Sequence, residues 1–212
     1  MSNETAAAAT ENQPQFIMFL GWFVIVGCAA FAISILIADF VVPDHDWIAD
    51  TISDLGAGRY EFIVDIGLYL YSAAILSTAL LAAHVHMGGK GWSVGIVALL
   101  VFGLIVFLIG ARNEYGDADS DGWVIHQYLV WALGAAVPII AFTMAQGMER
   151  ADERYAYAMR GFGALWVVGA PVFFFLPTDV DGLYERGLGV IASAIIIIMA
   201  LFFIRRGHSL NA

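Results

Sequence analysis

The sequence contains one lysine, one cysteine and five prolines, and only 13% of its 212 residues carry a formal charge. A single cysteine, Cys28, can form neither an internal disulfide nor a cysteine metal cluster. Nineteen acidic residues against nine basic ones give a net charge of −10, which excludes a basic nucleic-acid-binding surface. Glycine-rich phosphate loops and haem-attachment cysteine motifs are also missing. The sequence therefore predicts a protein with no nucleic-acid partner and no bound cofactor.

Apolar residues make up 61% of the chain, whereas a soluble domain averages roughly half. A spanning helix needs about 20 mostly apolar residues, and six runs reach or nearly reach this length. Lipid requires every backbone hydrogen bond to be made internally, and the runs lack the alternation of strands, so helices are expected. The predicted fold class is an all-α integral membrane bundle of six transmembrane helices. The predicted spans are 16–42, 62–83, 92–111, 123–145, 156–176 and 183–204.

The predicted organisation is a disordered cytoplasmic tail over residues 1–15, a six-helix transmembrane domain over 16–206 and a short cytoplasmic tail over 207–212. Basic residues near the ends of the spans favour the cytoplasmic side, and more of them lie on the side of the termini. We therefore expect the chain in the cell membrane with both termini in the cytoplasm. The basic residues are Lys90, Arg150, Arg154, Arg160, Arg205 and Arg206 on that side, and Arg59, Arg112 and Arg186 on the other.

Most acidic residues fall in the outer turns, and these turns resemble one another. An Asp-Gly pair stands at 121–122 and again at 181–182, while Pro43 and Pro177 are each followed by two acidic residues within four positions. Two interpretations remain open. The chain is either a repeat of three helical hairpins whose turns all point outward, or it uses Asp, Gly and Pro as any turn does.

Three segments together resemble one family. The ISDLG sequence at 52–56 is similar to an ISxLG segment before the second helix of the uncharacterised prokaryotic membrane family catalogued as domain of unknown function 998. His126 resembles that family's histidine at the start of helix 4, and the GLYER sequence at 182–186 resembles its GLxER element. The chain departs from the family where a Phe-Pro pair often follows helix 3, because GARNE stands at 110–114 here. The resemblance implies six helices and a membrane location, and it implies no established activity.

Five ionisable residues converge on the outer half of the predicted bundle: Asp65, Arg112, His126, Glu185 and Arg186. Charged groups at membrane depth need a partner or a water-filled cavity. One interpretation is a buried ion-pair network, in which Arg186, Arg112 or His126 is the partner of Asp65. The other is a pocket that binds a lipid head group, an ion or a partner protein. In that pocket the arginines would grip an anionic head group, because a guanidinium offers a bidentate fork.

A membrane-embedded lipid hydrolase is the alternative, with Ser53, Asp65 and His126 as its catalytic residues. Residues of these types serve as nucleophile, orienting acid and general base, and their mutual distances are the test. Ser53 also has a plainer role as the cap of a short interfacial helix. The sequence alone favours a binding protein over an enzyme. The expected partners are membrane lipids and either a second copy of the chain or another membrane protein.

Two further alternatives rest on fewer residues. Asp65 and His126 with a turn carboxylate would offer the nitrogen and oxygen ligands that zinc accepts. Only one histidine belongs to this cluster, since we expect His45 to be exposed to solvent, and no metal is predicted. A small transporter or channel subunit would use helices interrupted near the membrane midplane. Pro138 and Pro171 fall within predicted spans and leave that alternative open.

Overall fold

The structure, a computed structural model, describes residues 13–111 and 120–211. Residues 1–12 of the tail predicted at 1–15 lie outside the described residues, and so does Arg112, while Pro14 and Gln15 belong to the first helix. The described part of the chain forms six long helices and one short one. They are α1 (Pro14–Val41), α2 (Ile52–Leu55), α3 (Phe62–Val85), α4 (Lys90–Ala111), α5 (Ser120–Glu149), α6 (Glu153–Phe173) and α7 (Asp181–Asn211).

The six long helices are long and apolar enough to cross a membrane, and they match the six predicted spans. The α-helical bundle is therefore confirmed, with small differences at the helix ends. Pro14 stands in the first turn of α1, where its fixed φ suits a helix and its missing N–H costs no hydrogen bond. Helix α6 ends at Phe173, before the predicted end at 176, while α7 continues to Asn211, past the predicted end at 204.

The six long helices form a closed ring. Each packs against the next along the chain, from α1 through α3, α4, α5 and α6 to α7, and α7 packs back against α1. Glycines allow close approach between neighbours, as small residues commonly do in membrane bundles. A Cβ on Gly27 would lie 2.7 Å from the Cβ of Ala74, and one on Gly163 would lie 2.8 Å from the Cβ of Ala141. Consecutive pairing fits three hairpins, while the sequence repeat itself stays a prediction.

Large apolar side chains cover the outside of the ring. Phe40 is 90% exposed and Phe175 is 86% exposed, and many Leu, Ile and Val side chains on every spanning helix are also exposed. A water-soluble surface does not normally carry contiguous apolar area on this scale. Together with the six spans, this surface identifies a multi-pass membrane protein.

The two ends of the bundle carry different connections. At one end short turns join the helices at residues 86–89 and 150–152, and Gly88 and Gly89 adopt positive φ there. At the other end the connection over 42–61 contains α2 and five Asp or Glu residues, and the connection over 174–180 contains Asp179. We call this end, formed by 42–61 and 174–180, the acidic end. All candidate site residues that the structure describes lie at or near it.

Candidate functional site

Helix α2 is a single turn whose start is fixed by its own side chains. Thr51 precedes it, and its hydroxyl accepts a hydrogen bond from the backbone N–H of Asp54 at 3.2 Å. The Asp54 carboxylate accepts in return from the backbone N–H of Thr51 at 2.7 Å. This reciprocal pattern is a capping box. The predicted role of Ser53 as the cap is therefore wrong, because Thr51 fills it and leaves the Ser53 hydroxyl to contact another helix.

That other helix is α5. The Ser53 Oγ lies 3.1 Å from the Nε2 of His126, which is within hydrogen-bond distance. His126 is only 8% exposed and belongs to the first turns of α5. A hydroxyl in contact with an imidazole nitrogen is the pairing that activates a serine nucleophile. Two of the three residues proposed for a hydrolase are thus brought together.

A cavity of about 160 Å³ lies below this pair, inside the ring. We call it the chamber. Every described helix contributes to its wall, and the lining is almost entirely apolar. An apolar cavity of about 150 Å³ can stay dry and hold a small apolar molecule, so the chamber is large enough for part of an acyl chain. Its apolar lining includes Phe31, Leu68, Tyr71, Phe102, Val106, Ile109, Val130, Leu133, Trp166, Ala170 and Leu188.

A second cavity, of about 380 Å³, lies at the acidic end. We call it the vestibule. Its wall contains both polar and apolar groups and comes from α2, the residues just before it, the first turns of α5 and α7, and the end of α6. Ser53 and His126 line both cavities, and so do Phe173, Phe174 and Glu185. The serine–histidine contact therefore lies at the boundary between an apolar compartment and a more polar one.

Asp65 lies in the chamber wall rather than at the serine–histidine contact. Its Oδ1 is buried and has no hydrogen-bond partner among the described residues. It forms no ion pair with any described residue, and Arg186, one of the partners considered for it, pairs with Asp39 instead. Arg112 lies outside the described residues. The structure thus leaves Asp65 as an acidic group facing the apolar chamber, separate from the Ser53 hydroxyl.

Arg186 belongs to an ion-pair network at the edge of the acidic end. Its Nη2 donates to the Oδ1 of Asp39 at 2.6 Å, and the Nε2 of His45 lies 3.1 Å from the same oxygen. The Nδ1 of His45 is 3.4 Å from the Oδ2 of Asp50. The His45 side chain is only 3% exposed, so the expectation that it is solvent-exposed is wrong. The pairing expected between Arg186 and Asp65 is replaced by one that ties the end of α1 to the start of α7.

The first turn of α7 also holds the segment that leads into α2. The backbone N–H of Leu183 donates to the carbonyl of Ile48 at 2.9 Å, and the Nη1 of Arg186 donates to the carbonyl of Asp50 at 2.8 Å. The Glu185 carboxylate accepts from the backbone N–H of Ile52 at 2.6 Å. We call these contacts the α7 clamp. Because Ile52 immediately precedes Ser53, the clamp fixes the position of the serine.

The segment before α2 also packs tightly against the start of α7. A Cβ on Gly182 would overlap the carbonyl of Asp50 and lie 3.0 Å from the carbonyl oxygen of Ile48. Only glycine allows this approach of two backbones. The sequence singled out the stretch 182–186 through its resemblance to a family element, but the backbone partners of that stretch could not be read from it.

Metal ligation has little support in the described residues. No group of three or more His, Cys, Asp or Glu side chains in that part of the chain is arranged to hold a metal ion. Asp65, His126 and Glu185 all line the chamber, but in the described structure they do not form such a group. The acidic side chains of the vestibule instead make hydrogen bonds to the backbone, as Asp54 and Glu185 do.

The comparisons with known proteins identify a family for this chain but no individual relative. A family model described as protein of unknown function, DUF998, matches residues 25–201, which include Ser53, His126 and the whole of the α7 clamp. No curated protein and no solved structure matches the chain significantly. The matched stretch covers most of the chain, and the chain therefore belongs to this family, whose function is unknown.

Proposed function

We propose that the protein is a membrane-embedded hydrolase that cleaves the acyl bond of a lipid, with Ser53 as the nucleophile and His126 as the general base. The observation that carries this proposal is the 3.1 Å contact between the Ser53 Oγ and the His126 Nε2. A general base must lie within about 2.6–3.2 Å of the proton that it takes. The sequence alone favours a binding protein, whereas this contact supports an enzyme.

The two cavities support a lipid as the substrate. A lipid presents an apolar chain and a polar head on either side of its ester or amide bond. The chamber would take part of the chain and the vestibule would take the head group, since the pair of reactive side chains lines both. The scissile carbonyl would then lie beside Ser53. A purely structural serine–histidine contact would have no need of a cavity on either side.

The chemistry that these residues can perform is acyl transfer in two steps. The Ser53 oxygen attacks the carbonyl carbon and its proton passes to His126 Nε2. The bond from that carbon to the head-group oxygen or nitrogen then breaks, and His126 returns the proton to this leaving group. Water from the vestibule next attacks the acyl-serine with His126 again as base. The fatty acid leaves, and the Ser53 hydroxyl is restored.

Lipid binding without chemistry is the second candidate, and it uses the same cavities. In this form the ligand contacts would be made by Asp65 in the chamber and by His126 and Glu185 at its boundary. Arg186 is engaged by Asp39, which argues against its use as a grip for an anionic head group. Membrane lipids remain the proposed partners in both forms. A cell-membrane location with cytoplasmic termini, which the distribution of basic residues supports, would open the vestibule to the outer surface.

The test is release of fatty acid from acyl lipids by the purified protein in nanodiscs, together with covalent labelling by a fluorophosphonate probe. Ser53→Ala should abolish labelling, and Ser53→Ala and His126→Ala should each lower turnover by a factor on the order of a thousand or more. Ser72→Ala is the matched control. Its buried hydroxyl bonds to the carbonyl of Gly103 and lines neither cavity. Labelling that persists in Ser53→Ala would rule out Ser53 as the nucleophile.

A further inference from the structure

The vestibule is lined by negative groups. Asp50, Asp54, Asp181 and Glu185 contribute to its wall, and no lysine or arginine among the described residues does. Asp54 and Glu185 accept hydrogen bonds from backbone N–H groups. The Oδ1 of Asp181 is buried and has no hydrogen-bond partner in the described part of the chain. Among the described residues, the vestibule wall thus carries four carboxylates, and the Asp181 Oδ1 is an acceptor with no described donor.

Two aromatic rings complete the wall on the side of α6. Phe173 and Phe174 line both cavities, and their ring centroids lie 5.7 Å apart at an interplanar angle of 76°. The face of an aromatic ring attracts a cation within about 6 Å, and rings grouped in this way are a common means of holding a quaternary ammonium. This observation is independent of the acidic residues and points to a ligand of the same charge.

The described residues that line the vestibule include no arginine side chain. The arginine closest along the chain, Arg186, bonds to Asp39 and to the carbonyls of Asp50 and Gly182. The Arg186 guanidinium is therefore bound to these partners, and it does not offer a binding group for a phosphate in the vestibule.

We propose that the lipid taken by this site carries a cationic head group, an amine or a quaternary ammonium, joined by an ester or amide bond to an acyl chain. The inference rests on the proposed hydrolase function for the bond that is cleaved. The ammonium would lie between the Phe173 and Phe174 rings and the Asp181 carboxylate, and the acyl chain would extend into the chamber. A lipid with an anionic head group would be repelled by the same carboxylates.

The experiment compares two esters of the same acyl chain in nanodiscs made of neutral lipid. One is the choline ester, and the other is the 3,3-dimethylbutyl ester, which has the same shape without the charge. We expect kcat/KM for the choline ester to be higher by a factor on the order of ten or more. The preference should shrink in 1 M salt, where the Debye length falls to about 3 Å. An ester with an anionic head should be the poorest substrate.

Two pairs of variants assign the preference to the vestibule wall. Phe174→Leu keeps an apolar side chain and removes the ring face, and Asp181→Asn removes the charge at nearly constant size. Each should reduce the ratio of choline to neutral ester by severalfold, with a smaller change for the neutral ester itself. The controls are Phe175→Leu and Asp179→Asn, whose exposed side chains do not line the vestibule. They should leave the ratio unchanged.

A binding measurement separates this inference from the proposed function. Ser53→Ala protein is titrated with a choline ether, which cannot be hydrolysed, and with its neutral isostere. Tighter binding of the choline ether supports a cationic head group even if no ester is cleaved, and in that case only the hydrolase proposal fails. Cleavage of both esters at equal rates, with equal binding of both ethers, would overturn the cationic head group and leave the hydrolase intact.

Discussion

Gly182→Ala tests the closest backbone contact at the acidic end. The added Cβ would lie 2.6 Å from the carbonyl carbon of Asp50 and 3.0 Å from the carbonyl oxygen of Ile48. Both are backbone atoms, so no side-chain rotation relieves the overlap. The first turn of α7 must move away, which weakens the bond from Leu183 N–H to Ile48 and the one from Ile52 N–H to Glu185. Overpacking of this kind typically costs about 1–3 kcal/mol.

Gly187→Ala is the matched control, because it lies on the same helix and nothing surrounds its added Cβ within 4 Å. The gain in helix propensity from Gly to Ala is common to both variants and cancels in their difference. For a chain of this size 1 kcal/mol shifts Tm by about 2–4 °C, so Gly182→Ala should melt roughly 2–12 °C below Gly187→Ala. The assay is thermal unfolding in detergent. Equal melting temperatures would refute the close packing of α7 on the 48–50 segment.

Three further predictions concern the clamp, the chamber and the topology. Glu185→Gln keeps an acceptor for the Ile52 N–H and should retain most of kcat. Glu185→Leu removes this acceptor and should lower kcat by a larger factor than it raises KM. Equal activity of the two variants would contradict a positioning role for Glu185. Asp65→Asn should leave the melting temperature in detergent unchanged or slightly raised, because the carboxylate has no ion-pair partner to lose in the described structure, and a marked drop would reveal one. The topology can be tested in intact cells with an impermeant maleimide, on protein in which Cys28→Ser removes the native cysteine. The reagent should label Thr178→Cys directly and should label Ser209→Cys only after permeabilisation. The reverse pattern would exclude cytoplasmic termini.

The spanning helices could be predicted because composition and length decide them. Lipid leaves helix as the stable form of each long apolar run, and tertiary contacts move only the ends. Helix α7 illustrates the limit. Its last turns contain Arg205, Arg206 and His208, which signal an end of the hydrophobic run, yet the helix continues to Asn211. Hydropathy locates the part of a helix within the membrane and says little about how far the helix extends beyond it.

The connection at residues 42–61 could not be predicted in the same way. Its form depends on long-range pairs, such as Arg186 with Asp39, whose sequence separation is 147 residues. Local spacing carries no information about such a pair. His45 was expected to be exposed to solvent. It is buried because Asp39 and Asp50 on either side of it in sequence converge on its ring, while Arg186 supplies the compensating charge.

The candidate site likewise has features that could be predicted from the sequence and features that depend on long-range contacts. Residue type selected Ser53 and His126 as members of a hydrolase site, and membrane depth selected ionisable groups that need a partner or a cavity. Their contact depends on the placement of α2, which the sequence does not specify. Asp65 was selected by the same depth criterion and lies in the chamber wall instead. Depth alone therefore could not distinguish the residues that meet from the one that stands apart.

The way Ser53 is held bears on whether its contact with His126 is structural or catalytic. A helix of four residues has too few internal hydrogen bonds to be stable by itself, so α2 takes its position from the capping box and the α7 clamp. These contacts fix the serine from one side of the ring, while α5 presents the histidine from the other. Such support gives the pair a defined geometry at the border of two cavities, and neither cavity would be needed to keep α2 in place. A preorganised pair that faces open space on both sides is the arrangement that a substrate requires, and this favours catalysis over a simple structural hydrogen bond.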